Sequence, residues 1–194
     1  MPLYLPRNLA ALARVAERPD RNPRYAVDAI RVLDPGDGTY RLEATDGKRL
    51  AIVRGTSQDA CYPALEAAPD GAREVLIPAA DWAQAFKMGL KAQPVGLAAG
   101  DGVFTFAVGT QAFTGTPPQG RYPDVEAVLP QGPPVVRFRL HPGLLAGLCD
   151  LASALGLPEG NSVEVLYYGQ GKPVGLIGHN DRGQFLDCLV MPLT

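Results

Sequence analysis

One order of local patterns comes round three times in this chain, and that recurrence restricts the fold more than any other feature. Each round opens on a short extended lead, passes through one stretch of helical period, and continues into two or three short strands separated by turn residues. The rounds share the order of their elements rather than residue identities. They span residues 1–70, 71–130 and 131–194.

In the first round the apolar residues Leu5, Leu9, Leu12 and Ala16 fall at i, i+4, i+7 and i+11. That spacing predicts a helix over about Asn8–Glu17 with one apolar stripe. Arg7, Arg14 and Arg18 fall on its other side, and Pro19 ends it. Strands are expected at Tyr25–Leu33, Tyr40–Ala44 and Leu50–Val53. Tyr40, Leu42 and Ala44 alternate with Arg41, Glu43 and Thr45, the mark of a half-buried strand with a polar outer face. Asp46-Gly47 is a two-residue hairpin turn.

The second round begins with a strand at Glu74–Ile77, and Pro78 opens a helix. Trp82, Phe86 and Leu90 are its expected core face, with Gln84, Lys87 and Lys91 pointing away. Strands are expected at Val95–Ala98, Val103–Val108 and Ala112–Thr114. The third round predicts a strand at Val135–Leu140 and a helix striped by Leu144, Leu148, Leu151 and Leu155. Its strands are Val163–Tyr168, Val174–Ile177 and Phe185–Val190. The third helix carries no lysine or arginine; its free side shows Gly147, Asp150 and Ala154.

Antiparallel sheets backed by helices on one face follow from this order, an α+β fold of three β-α-β-β(-β) modules. Two of the modules lie in residues 1–130 and the third in 131–194. A chain of 194 residues buries roughly 70% of its unfolded surface and needs no covalent staples.

Several function classes are disfavoured. The sequence has no apolar run of the ~18 residues a membrane helix requires, and its start lacks the pattern of a secretory leader. Cys61, Cys149 and Cys188 are widely spaced and form no CxxC pair, and His141 and His179 are the only histidines, so no metal site is expected. The cysteine usage fits a reducing cytoplasm, with Cys149 and Cys188 read as small core residues. No phosphate-binding glycine motif and no catalytic constellation occurs, so no cofactor and no enzymatic activity are expected. His179-Asn180-Asp181 reads as a turn, and Asp124 as a turn cap in a linker. With 18 Lys and Arg against 20 Asp and Glu, the net charge is −2, so any contact with nucleic acid depends on where the cations sit.

Four segments together resemble the beta subunit of bacterial DNA polymerase III, the beta sliding clamp. Glu43-Ala44-Thr45-Asp46-Gly47-Lys48-Arg49-Leu50-Ala51 resembles that family's ATDGHRLA hairpin. Val75-Leu76-Ile77-Pro78 resembles the strand-to-helix junction of its second half-domain. Gly120-Arg121-Tyr122-Pro123-Asp124, ending in Val128-Leu129-Pro130, resembles its interdomain linker, and Leu189-Val190-Met191-Pro192-Leu193 its C-terminal tail. The match covers the middle domain and the second half of the last domain; the family's first domain and the first half of its last domain have no counterpart.

The resemblance implies that modules pair into domains, with one complete domain over 1–130 and a half domain over 131–194, and it implies a non-enzymatic factor in DNA replication or repair. It implies non-specific contact with double-stranded DNA through helix cations, here Arg7, Arg14, Arg18, Lys87 and Lys91. It also implies an apolar cleft for linear peptides of polymerase or repair proteins. That cleft would use Thr45, Gly47, Lys48, Arg49 and Leu50, with Pro123 and Val128, and Leu189, Val190, Met191, Pro192 and Leu193; core packing is the competing role for Val128 and Val190. Ala127 stands where the family is often basic. The unpaired third module implies a homo-oligomer, a dimer or a dimer of dimers. A peptide-binding module that does not encircle DNA is the alternative.

Overall fold

The computed structural model describes residues 2–16, 25–57, 74–130, 132–134, 136–137, 139–154, 164–170, 172–179 and 185–191. The chain divides into two compact units, Met1–Leu129 and Pro130–Thr194.

The first unit holds two four-stranded antiparallel sheets. One contains β1 (Leu3–Leu5), β6 (Val95–Gly100), β7 (Val103–Val108) and β8 (Gln111–Gly115), in that order. The other contains β4 (Leu50–Thr56), β3 (Thr39–Thr45), β2 (Ala29–Leu33) and β5 (Glu74–Pro78). The modules exchange their leading strands. β1, at the start of the first module, pairs with β6 of the second, placing Leu5 opposite Val95. β5, at the start of the second, pairs with β2 of the first, placing Ile77 opposite Ile30. Neither sheet is complete without the other module.

A 3₁₀ helix (Arg7–Arg14) follows β1, and α1 (Ala79–Ala85) follows β5. The two helices meet through Trp82, whose fully buried Nε1–H donates to the Leu9 carbonyl at 3.0 Å. Trp82 stacks on Phe86 with ring centroids 4.7 Å apart and meets Phe106 edge-on at 5.9 Å. Leu5, Leu42, Ile77 and Phe104 close the core around them with no exposed surface.

Both helices are shorter than their periodicity predicts. The first is 3₁₀ rather than α, so its buried face repeats at three residues, Leu9 and Leu12. Leu5 lies in β1 and Ala16 is half-buried beyond the helix; Glu17 and Arg18 lie outside the described residues. The second stops at Ala85, and Leu90, expected in the core, is 70% exposed. The turn at Gly89 explains the stop. Its φ of +62° is left-handed, and a Cβ there would come within 2.4 Å of Val108 Cγ1. Tyr25, expected in a strand, makes only an isolated bridge to Arg121, and the strand begins at Ala29.

The second unit holds α2 (Pro142–Ala154) and a three-stranded antiparallel sheet. β10 (Val174–His179) lies between β9 (Glu164–Tyr167) and β11 (Phe185–Val190). Val174, Leu176 and Val190 are buried. Val136, Arg137, Arg139 and Leu140 form no strand, contrary to the period-two pattern there; Val135 and Phe138 lie outside the described residues. His179 ends β10 rather than entering a turn, and Asn180 and Asp181 are not described. The leucine stripe is mostly exposed, Leu144 by 57% and Leu151 by 44%, with Leu148 half-buried, while Leu155 lies outside the described residues. Cys149 is exposed and Cys188 half-buried, so neither is the core residue expected; Cys61 is not described. No helix among the described residues is long and apolar enough to cross a membrane.

Candidate functional site

The Asp46-Gly47 turn joins β3 to β4 and is tied from within. Thr45 Oγ1 donates to the Arg49 carbonyl (2.8 Å) and accepts from the Gly47 amide (3.0 Å). Asp46 accepts from the Lys48 and Arg49 amides (3.0 and 2.9 Å) and from Arg49 Nε (2.7 Å). Partial burial opposes its charge, but these bonds outweigh it and hold the carboxyl at about 2. Gly47, with φ +82°, supplies the left-handed residue the turn needs. Arg49 Nη2 donates to the Arg14 carbonyl at 3.0 Å, fastening the turn to the end of the first helix. Gly47, Lys48 and Arg49 remain exposed at its tip, with Leu50 half-buried behind them.

The linker after β8 lies along the first unit by two buried anchors, Tyr122 and Val125. The Arg31 guanidinium sits 5.7 Å from the Tyr122 ring centroid, and Ala26 N–H donates to the Arg121 carbonyl at 3.1 Å. Asp124 accepts from the Ala127 amide (3.3 Å), the turn-capping role its position predicts. Pro123 is half-buried, while Val128 is 68% exposed and therefore not a core residue.

Beneath the linker is a charge cluster that the sequence pattern misses. Glu43, expected on a polar outer face, is 1% exposed. Arg31 approaches it at 3.3 Å and holds Glu74 with two bonds of 2.8 and 3.1 Å. Arg41 meets Glu43 at 2.7 Å and the linker's Glu126 at 2.6 Å, ion pairs by proximity rather than aligned hydrogen bonds. Burial, reinforced by the Glu43 charge, pushes the Tyr122 hydroxyl pKa upward. The available clue is cross-strand: Arg31 and Glu43 stand opposite each other on β2 and β3.

The expected cations part company. Arg7 donates from Nε to the Gln93 carbonyl (2.7 Å), from Nη1 to Phe86 (2.8 Å) and from Nη2 to Leu90 (3.1 Å). It braces the segment beyond α1 rather than presenting a free charge. Arg14, Lys87 and Lys91 are exposed, the lysines in the turns after α1 rather than on a helix. Arg18 lies outside the described residues. In the second unit Leu189 and Met191 are each 61% exposed, whereas Val190 is buried at 3% and belongs to that unit's core. Pro192 and Leu193 are not described. His141 Nδ1 accepts from the Gly143 amide at 3.1 Å, at the start of α2. Among the described residues no group of His, Cys, Asp and Glu could hold a metal ion.

Solved structures share this arrangement. The beta sliding clamp of C. crescentus superposes with a TM-score of 0.72 at 20% identity, over 98% of this chain and 50% of its own. The fold is that of the bacterial beta sliding clamp. A DNA polymerase sliding clamp from Pseudomonas aeruginosa gives 0.73 at 19% identity, over 99% of this chain and 50% of that one. A structure described as DNA polymerase III subunit beta, from the same organism, gives 0.69 at 19%, over 99% and 51%. The chain thus spans about half the length of the clamps it resembles. No family model matches the sequence, and no curated protein does. The clamp-like segments of the sequence fall on the β3–β4 turn, the junction of β5 with α1, the linker and the end of β11.

Proposed function

We propose that this chain is a clamp-like recruitment or processivity factor that docks short linear peptides of DNA polymerases or repair proteins. The observation that carries the reading is the β3–β4 turn, exposed at its tip and internally bonded through Thr45, Asp46 and Arg49. A turn already fixed in one conformation spends little ordering entropy when a peptide binds. Gly47, Lys48, Arg49 and Leu50 form its part of the docking surface, with Pro123 and exposed Val128 from the linker; Thr45, buried at 7%, holds the turn from within rather than facing a peptide. On the second unit, exposed Leu189 and Met191 offer an apolar surface of their own of the kind that suits varied partners. Val190 contributes only by holding β11 in its unit.

On this reading the chain acts in the cytoplasm as a homo-oligomer, without catalysis or cofactor. It touches duplex DNA without sequence preference through Arg14, Lys87 and Lys91, together with Arg18. Arg7 is withdrawn from that set by its three carbonyl bonds. The alternative, a peptide-binding module that does not encircle DNA, draws support from the absence of lysine and arginine in α2.

Fluorescence anisotropy with a labelled peptide from a replicative polymerase tests the docking. Micromolar binding is expected, weakened at least ~10-fold by Val128→Asp or Met191→Asp, both exposed and tolerant of the change. Binding unaffected by either substitution refutes it. Loading onto nicked circular DNA, followed by linearisation, separates the readings: a ring slides off the ends, and a docking module never loads.

A further inference from the structure

The sheet of β4, β3, β2 and β5 turns one face toward the linker. Strand pairing puts Arg31, Glu43 and Ile52 in one row across that face, and Leu33, Arg41 and Arg54 in the next. The linker lies over the middle strands: Tyr122 is against Arg31 on β2, and Glu126 is against Arg41 on β3. β4 is the edge strand. Its residues on the same face are Leu50 and Ile52, both half-buried, and Arg54, which is exposed.

Arg54 is a cation without an answering charge. It stands directly opposite Arg41, and like charges so placed repel. Glu43 and Glu126 offset Arg41, at 2.7 and 2.6 Å. Among the described residues Arg54 has no ion pair. Both arginines line a hollow of about 580 Å³, with Leu33 and Pro35 as its apolar wall. That volume lies within the ~300–1,000 Å³ of ligand sites. The one acidic residue lining it, Asp34, is engaged on its own turn, accepting from the Gly36 amide at 2.8 Å. An apolar wall beside a spare guanidinium suits a carboxylate carried next to an apolar group. Glu126 shows the same chemistry on this face, a carboxylate from outside the sheet set on Arg41.

We propose that a peptide docked on the β3–β4 turn continues along β4 and sets an acidic residue, with an apolar neighbour, in this hollow, its carboxylate on Arg54. The route is continuous. Leu50 belongs to the docking surface, and Ile52 and Arg54 follow it at two-residue steps on one face of the strand. Leu50 and Arg54 are four residues apart on β4, about 13 Å of extended chain. An extended peptide covers that span in about four residues, which fixes the distance of its acid from the apolar group that meets Leu50. The arriving carboxylate pairs with Arg54 and also relieves its repulsion from Arg41, so a neutral or basic flank is disfavoured. The inference rests on the docking reading and adds the chemistry of the partner's flank.

Fluorescence anisotropy on the whole chain gives the test. Labelled peptides share one apolar sequence from a replicative polymerase and differ in a Glu-Leu or Gln-Leu pair about four residues away. Two sets place that pair ahead of the apolar sequence or behind it. In one set the Glu peptide should bind about 5-fold tighter than the Gln peptide, and added salt should shrink the difference. Arg54→Glu should abolish the preference, and a Lys-Leu peptide should bind the Arg54→Glu chain tighter than it binds wild type. Arg54 is exposed, so urea melts followed by Trp82 fluorescence should stay near wild type. Equal binding of Glu and Gln peptides to wild type in both sets overturns the inference and leaves docking on the turn standing. A Glu preference that survives Arg54→Glu does the same. Binding of no peptide in either set sinks the docking reading, and the acidic flank with it.

Discussion

Removing the Glu43 carboxylate should destabilise the first unit far more than its place in an alternating strand implies. Glu43 is 1% exposed and faces two guanidinium groups, Arg31 at 3.3 Å and Arg41 at 2.7 Å. Breaking a buried ion pair from one side costs ~3–5 kcal/mol, because the remaining charge keeps its desolvation cost without its partner. Two features lower the figure here. The arginine side chains are 24% and 22% exposed, and each keeps a second carboxylate, Glu74 or Glu126. The expected loss is about 3 kcal/mol for Glu43→Ala, and about half that for Glu43→Gln, which keeps the shape without the charge. Trp82 is the sole tryptophan and is fully buried, so its fluorescence during urea unfolding reports this unit alone. About 3 kcal/mol corresponds to a melting point lower by roughly 10 °C. Because Arg41 also holds Glu126, the variant should loosen the linker and speed tryptic cleavage after exposed Arg121. Glu43→Leu combined with Arg41→Met should recover much of the loss, since it removes charge from both sides. A Glu43→Ala protein within about 0.5 kcal/mol of wild type would behave like a surface variant and refute the buried-cluster argument.

Three further outcomes follow from the same geometry. Arg7→Met should cost about 2–3 kcal/mol in urea unfolding by releasing the Phe86, Leu90 and Gln93 carbonyls, whereas Lys87→Glu should stay within about 0.5 kcal/mol; equal effects would show Arg7 to be an ordinary surface cation. Trp82→Phe should lose about 1–2 kcal/mol, the cost of leaving the buried Leu9 carbonyl without its donor, and Trp82→Ala about 3–5 kcal/mol, both by the same melts with a circular-dichroism readout. The Asp46 carboxyl is lowered from 3.8 to about 2, so its contribution is fully present above pH 3.8 and is lost as pH falls through about 2; the Gly47 and Arg49 amide shifts in an NMR titration should hold steady to pH 4 and move only below it, and a midpoint near 4 would refute the bonded turn.

The strands and turns were legible in the sequence because they answer to neighbours close in the chain. Alternation placed β3, and Asp46-Gly47 placed the β3–β4 turn, since a left-handed glycine and a carboxylate two residues before Lys48 act locally. The four clamp-like segments could be read for the same reason, each lying within one turn, junction or strand end. Helix length was not legible: the Arg7 bond to the Phe86 carbonyl, 79 residues along the chain, and the left-handed Gly89, where Val108 leaves no room for a Cβ, mark the end of the second helix before Leu90.

What tertiary structure alone decided concerns which side of an element is covered. A period-two pattern says that Arg41 and Glu43 share a face with each other and not with Leu42, but it cannot say that Tyr122 and Glu126 will lie over that face and bury Glu43. Likewise the leucines of α2 define a stripe, and only the folded chain reveals that Leu148 is half-buried while Leu144 and Leu151 stay exposed. Local sequence sets the direction of a side chain through backbone geometry. Its burial depends on whichever distant segment arrives there, and that is fixed by the exchange of β1 and β5 between modules.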